Sequence, residues 1–224
     1  MLGKRLINTG GVSCTTDTLQ ILGDTSCIAT YQLNSNANDL SGNYNGTATN
    51  VSYVAGKFNN AGSFNGSSSY IEAPAGLRRN NNFSASLWFN TNSLTDTQSL
   101  ISFRNGKKFQ AFLNNGNVGN ASIRVNAGNN TAVDTATGIF TTNTWYHLVV
   151  VQSSITGVTV YLNNSIVASN SAATGDLVTV SGVDSIGSYN GASNFLNGEI
   201  DQFRYFNKAL STGEVTTLYN EVAC

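Results

Sequence analysis

Charge is scarce in this chain. Only 10% of its 224 residues are Asp, Glu, Lys or Arg, and the formal net charge is −1. Nucleic-acid binding needs clustered Lys and Arg. The pairs Arg78-Arg79 and Lys107-Lys108 are too few for that and read as solvated loop charges. No apolar run approaches the length of a membrane span. The N-terminal stretch Met1 to Ser13 has two basic residues but no apolar h-region, so it does not read as a signal peptide. Cys14, Cys27 and Cys224 are not spaced as zinc ligands, and no G-x-S-x-G nucleophile elbow is present. The single histidine, His147, lies inside an apolar run. Alternation places it on one strand face with Trp145, Val149 and Val151, which makes it a structural side chain rather than a catalytic base. Helical periodicity is missing from every window except Ser211 to Val222.

What is abundant is Asn, Ser, Thr and Gly, in clusters that separate short apolar or alternating runs. This is the spacing of a β-sandwich, and the chain is long enough to bury one large core. Val158 to Leu162 alternates with period two. Asn197-Gly198 is turn chemistry leading into the strand Ile200 to Phe206. Ser211 followed three residues later by Glu214 is a capping box, which predicts a helix from Thr212 to about Asn220. The expected core includes Leu33, Phe64, Leu87, Trp88, Leu148, Val150, Leu162 and Phe203.

The order of motifs carries a resemblance. Asn38 to Thr47 reads as a first loop, and Gly56-Lys57-Phe58 with Ala61 to Ile71 as the next strands. Phe83 to Phe89, the pair of runs Asn143 to Val151 and Val158 to Asn163, Ile186-Gly187, and the closing segment Phe195 to Asn220 follow in sequence. Over residues 28 to 222 this resembles the LamG-like jelly rolls of the concanavalin A-like lectin/glucanase superfamily. The resemblance implies an all-β, two-sheet antiparallel jelly-roll sandwich over 28–224, with one short C-terminal helix and an extended N-terminal arm over 1–27. Gly3 to Ile7 and Cys14 to Thr18 also resemble segments of LamG-like structural proteins of tailed phages, especially phages of marine bacteria.

The superfamily includes glucanases with an E-x-D-x-E strand, and retaining hydrolysis needs two carboxylates about 5 Å apart. Here Glu199-Ile200-Asp201 is followed by Phe203 where the second Glu would stand, so glycoside hydrolysis is disfavoured and no catalytic residue is expected. Asp201 is expected to share a face with Phe203 and Tyr205. A carboxylate in such a place must be paired, hydrogen-bonded or cation-bound. The resemblance implies a calcium site with Asp39, Asp201 and a backbone carbonyl near Gly66 as ligands. Asn65 and Gln202 depart from the acidic residues usual there, and the competing reading has Asp201 accepting backbone N–H bonds. Tyr44, Tyr53 and Tyr189, in Asn- and Gly-rich surroundings, are candidates for packing against sugar rings; half-buried rim tyrosines are the ordinary alternative.

Two expectations concern the chain ends. A Cys27–Cys224 disulfide would close a very long loop, about 5 kcal/mol in the chain-entropy model against about 3 for Cys14–Cys27; full reduction is the third option. The arm has Leu6, Ile7, Leu19, Ile21 and Leu22 as its apolar anchors and is expected to dock on another virion protein or a sister subunit. The sequence thus reads as a non-enzymatic phage virion surface protein, a capsid decoration or tail-fibre component. It would be made in the host cytoplasm and displayed on the virion, its lectin-like domain contacting glycans. The alternative is a carbohydrate-binding adhesin module of an extracellular cellular protein.

Overall fold

The computed structural model describes residues 15–74, 76–77, 81–114, 119–127, 131–174 and 179–222. Along the chain the strands are β1 (Cys27–Tyr31), β2 (Thr47–Thr49), β3 (Ser52–Ala55), β4 (Asn60–Asn65), β5 (Tyr70–Ala73), β6 (Phe83–Thr91), β7 (Gln98–Phe103), β8 (Gly106–Lys107), β9 (Phe109–Leu113), β10 (Ile123–Ala127), β11 (Thr131–Asp134), β12 (Tyr146–Ser153), β13 (Gly157–Leu162), β14 (Ser165–Asn170), β15 (Thr179–Val180), β16 (Asp184–Ile186) and β17 (Asn197–Phe206). One helix, α1 (Thr212–Tyr219), closes the described chain.

These strands form two antiparallel sheets, the sandwich expected from the sequence. An eight-stranded sheet runs β14-β13-β12-β6-β17-β4-β3, with β1 paired to the remaining length of β17. A seven-stranded sheet runs β11-β10-β9-β7-β16-β5-β2, and β15 and β8 form a separate ribbon. The facing sides bury one large core in which Phe83 stacks on Tyr205 at 5.6 Å and Phe103 meets Phe203 edge-on at 6.0 Å. Each such ring contributes about 1.5–3 kcal/mol by burial. All eight residues expected in the core are buried.

Trp88 is buried on the other side. The outer face of the eight-stranded sheet carries a second core of Cys27, Val149, Val151, Tyr161 and Phe206, covered by Leu210, Val215 and Leu218 around α1. The helix starts as the sequence predicts. The Ser211 side chain accepts from Glu214 N–H, and the Glu214 carboxylate accepts from Ser211 N–H at 2.8 Å.

Residues 15–26 belong to the same body. Thr15 and Thr16 N–H donate to Val222 O at 3.0 and 3.3 Å. Leu19 and Leu22 pack on the second core and Ile21 is part of it. This corrects the docked-arm expectation for Leu19, Ile21 and Leu22: these side chains pack on the chain's own second core. Leu6 and Ile7 lie outside the described residues. Cys27 is a free, buried thiol whose Sγ lies 3.3 Å from Thr30 Oγ1. This corrects the expected bridge at its one described end; Cys14 and Cys224 lie outside the described residues.

Candidate functional site: a polar cleft between three loops

At one end of the sandwich three chain segments meet around a cleft of about 440 Å³. Its lining residues are Asn65 and Gly66 after β4, Ser93, Asp96, Thr97 and Gln98 before and at β7, and Asn194, Phe195 and Asn197 before and at β17. Each segment is fixed by a side chain that replaces missing backbone partners. The Asn65 Oδ1 atom accepts from the N–H groups of Ser67, Ser68 and Ser69 at 3.0, 2.9 and 3.2 Å, a side-chain-capped turn. Gly66 completes it at φ +75, where an added Cβ would stand 3.0 Å from that of Asn197.

Gln98 joins the other two segments. Its Nε2 donates to Ser93 O at 2.6 Å, and its Oε1 accepts from Asn197 N–H at 2.8 Å. Buried at 2% exposure, it has both ends of its amide committed. Further backbone bonds run from Gly66 N–H to Leu196 O, from Asn92 N–H to Asn197 O and from Ser99 N–H to Asn194 O, each 2.8 Å. A rim held this way is pre-organised, so little ordering entropy remains for a ligand to offset. Its functional groups are amides, hydroxyls, one aromatic ring and one carboxylate. That set hydrogen-bonds sugar hydroxyls and packs an apolar face on C–H groups.

The opposite character appears on the outer face of the eight-stranded sheet. There Arg204, fully buried, donates from Nη1 to Glu221 Oε2 at 2.5 Å, and Trp88 Nε1 donates to Glu221 Oε1 at 2.8 Å. Arg204 Nη2 reaches Gln202 Oε1 at 3.1 Å and Thr16 O at 3.4 Å. His147 stacks near Trp88 with centroids 4.9 Å apart and bonds Ser86 Oγ through Nε2 at 2.8 Å. Burial, helped by Arg204 and Lys57, lowers its pKa from 6.5 to about 3, so it is neutral. This is a structural histidine.

Asp201 also lies on this outer face. Gln202 adopts φ +48 and the register against β6 shifts between Asp201 and Arg204. The bulge sets Asp201 opposite Trp88 and Arg204 opposite Ser86, while Phe203 and Tyr205 face the inner core. The expected shared face of Asp201, Phe203 and Tyr205 is therefore corrected; strict alternation fails at a bulge, where one extra residue flips the sequel. Asp201 Oδ2 accepts from Phe58 N–H at 2.8 Å, the backbone-bonded alternative read from the sequence. Burial pushes its pKa from 3.8 to about 7. In place of a second catalytic glutamate the outer face presents Arg204.

The calcium candidates do not converge. Asp39 Oδ1 accepts from Thr30 N–H at 2.7 Å, and its Oδ2 accepts from the Ser41 hydroxyl and from Tyr44 N–H within the first loop. Gly66 lies in the cleft beyond Asn65, which pairs with Asn197, four residues and about 13 Å of strand from Asp201. Among the described residues no three His, Cys, Asp or Glu side chains are grouped to hold a metal ion. Gly66 and Asp201 are thus too far apart to ligate one ion.

None of the three tyrosines lines the cleft. Tyr44 and Tyr53 pack against the inner core, and Tyr44 O accepts from Tyr31 Oη at 2.5 Å. Tyr189 sits under the Arg104 guanidinium at 5.0 Å and 6.0 Å from Phe112. The sequence pointed to the cleft only at Asn65 and Gly66, as positions of the expected calcium site, and not at Asp96, Gln98, Asn194 or Phe195. The available signal was Asn92 to Gln98, a polar loop between two apolar strands.

Residues 65–216 match the Laminin_G_3 family. The chain belongs to the concanavalin A-like lectin/glucanases superfamily. No curated protein matches it closely enough to count as a relative. Among solved structures of this superfamily's fold, domain 4 of AbnA, an extracellular GH43 arabinanase from Geobacillus stearothermophilus, in complex with arabinotriose, is similar at 26% identity with a TM-score of 0.70. The alignment covers 87% of this chain and 98% of that domain. The botulinum neurotoxin serotype D binding domain aligns at 17% identity and TM-score 0.64, covering 87% of this chain and 50% of that one. Trypanosoma rangeli sialidase aligns at 17% and 0.67, covering 86% of this chain and 32% of the enzyme. Those two likenesses concern the fold alone. The fold thus serves both binding domains and chains of glycoside hydrolases.

Proposed function

We propose that the chain is a non-enzymatic carbohydrate-binding domain and that the cleft bounded by Asn65, Asp96, Gln98 and Phe195 is its oligosaccharide site. The observation that carries this is the pre-organised rim: amides, hydroxyls and a single carboxylate around one ring, fixed by Gln98 and Asn65. The likeness to a domain complexed with arabinotriose supports the ligand class. The burial of Asp201 and the presence of Arg204 beyond it support the absence of hydrolysis.

Calorimetric titration with arabinotriose and a panel of neutral oligosaccharides tests the reading. Phe195→Ala should weaken the best ligand by about tenfold, the scale of one lost aromatic–sugar contact. No binding across the panel, or an unchanged affinity in the variant, would sink it. Release of reducing ends from any of these sugars would overturn the non-enzymatic part.

The setting we infer is the surface of a phage virion, supported by the resemblance of Gly3 to Ile7 and Cys14 to Thr18 to segments of phage structural proteins. Residues 1–14 then remain as the attachment arm. Mass spectrometry of purified particles checks this, and a truncation lacking residues 1–14 should fold yet fail to enter particles.

A further inference from the structure

Resting on the reading of the cleft as an oligosaccharide site, we propose that it selects uncharged and amino sugars and turns away acidic ones, with Asp96 as the specificity-determining residue. The cleft's lining contains one carboxylate and no Lys or Arg. Asp96 is exposed, and one of its carboxylate oxygens, Oδ2, accepts from Thr95 Oγ1 at 3.0 Å. Its loop cannot swing the carboxylate away freely. Ser93 Oγ bonds Thr95 Oγ1 at 2.8 Å, Asn114 Nδ2 reaches the main-chain oxygens of Leu94 and Asp96 at 3.3 and 3.4 Å, and Gly119 N–H donates to Leu94 O at 2.7 Å.

Among the described residues no Lys or Arg lines the cleft beside Asp96. Arg104 follows β7, and its guanidinium is held over the Tyr189 ring at 5.0 Å. Arg124 is committed to Asp134 at 2.5 Å, and Arg204 is buried against Glu221. Glu199, two residues past Asn197 on β17 and bonded to Asn92, adds a second carboxyl behind the rim. An acidic sugar would bring a like charge into this field without a partner, whereas a protonated amine would find Asp96.

The test measures dissociation constants for three trisaccharides of matched length: arabinotriose, a galacturonic acid trimer and a glucosamine trimer. Measurements are made in low salt with chelator, so that no metal ion bridges carboxylates. The expected order is glucosamine trimer at least as tight as arabinotriose, and the acidic trimer weaker than arabinotriose by about fivefold or more, the scale of one close exposed charge pair in water. High salt and Asp96→Asn should each shrink that ratio to below about twofold. Equal binding of neutral and acidic trimers, or a ratio unmoved by Asp96→Asn, overturns the inference while leaving the cleft as a sugar site. If none of the three binds, and the neutral panel also fails, the reading of the cleft falls and the inference with it.

Discussion

The outer face of the eight-stranded sheet and the loop-end cleft both concentrate polar groups, and they use them oppositely. Under α1 the groups are ionisable, buried and bonded within the fold: Arg204 with Glu221, Asp201 with Phe58 N–H and His147 with Ser86, all at most 7% exposed. At the cleft they are mostly neutral, partly exposed, and only the bracing groups are fully committed. A buried ion pair contributes little net stability, because desolvation offsets attraction, but breaking one leaves a bare charge. Burial pushes the Glu221 carboxyl upward in spite of Arg204 and Trp88. The first region therefore fixes how residues 15–26 and the C-terminal segment sit on the sheet, and the second leaves hydrogen-bonding capacity for something else. Conservative changes should affect stability in the first region and binding in the second.

The largest break in this contrast should come from Glu221→Ala. It strands the Arg204 guanidinium and should cost about 3–5 kcal/mol in urea unfolding, with sugar affinity in the surviving folded fraction unchanged. The double change Arg204→Met with Glu221→Leu should recover most of the loss. A single variant as stable as the parent would show that Arg204 finds water or another acceptor.

Acidity separates the regions next. His147 falls from 6.5 to about 3 on folding, so its contribution is present above pH 6.5 and lost as pH falls toward 3. Asp201 rises from 3.8 to about 7, so its contribution is present below pH 3.8 and lost as pH rises through 7. Glu221 shifts in the same direction as Asp201. Between pH 4 and 6.5 the slopes of His147 and Asp201 oppose each other, and Glu221 adds to the Asp201 side, so the parent's stability should fall modestly as pH rises. Asp201→Asn should expose the acid-side loss, and His147→Gln the loss on raising pH, each up to about 4 kcal/mol at 1.36 per pKa unit. Urea midpoints against pH check this; identical profiles for the parent and both variants would remove the buried titration.

Gln98→Ala reverses the balance of effects. It should cost about 1–3 kcal/mol for the buried groups left unpaired, and it should weaken sugar binding by tenfold or more as the rim loosens. Restoring the amide with a shortened side chain, Gln98→Asn, should recover neither bond, since the reach from Ser93 O to Asn197 N–H is lost. Smallest of all, Ser211→Ala should cost about 1 kcal/mol through the helix cap and leave binding untouched. A change in affinity there would mean the two regions are coupled.

The capping box at Ser211 and the strand run 200–206 were legible because both signals are local: a three-residue spacing and a hydrophobic period. The two-sheet architecture followed from motif order. The face of Asp201 was not legible, because the bulge at Gln202 depends on pairing with β1, β4 and β6 on both sides of β17. The cleft was missed for a related reason. Asn65, Gln98 and Asn194 belong to segments far apart in sequence, and polar loop residues look alike until the fold decides which are braces and which are free.

Composition and patterning by themselves determined an all-β sandwich with one capped helix, because alternation, turn chemistry and capping act within a few residues. They also determined that charge would be scarce at any binding surface. Only the tertiary structure decided that Arg204 and Glu221 meet beneath α1, that residues 15–26 cover the chain's own outer core, and that three distant polar loops close around one cleft. Those outcomes depend on which strands become neighbours, and that is a property of the whole packed sheet.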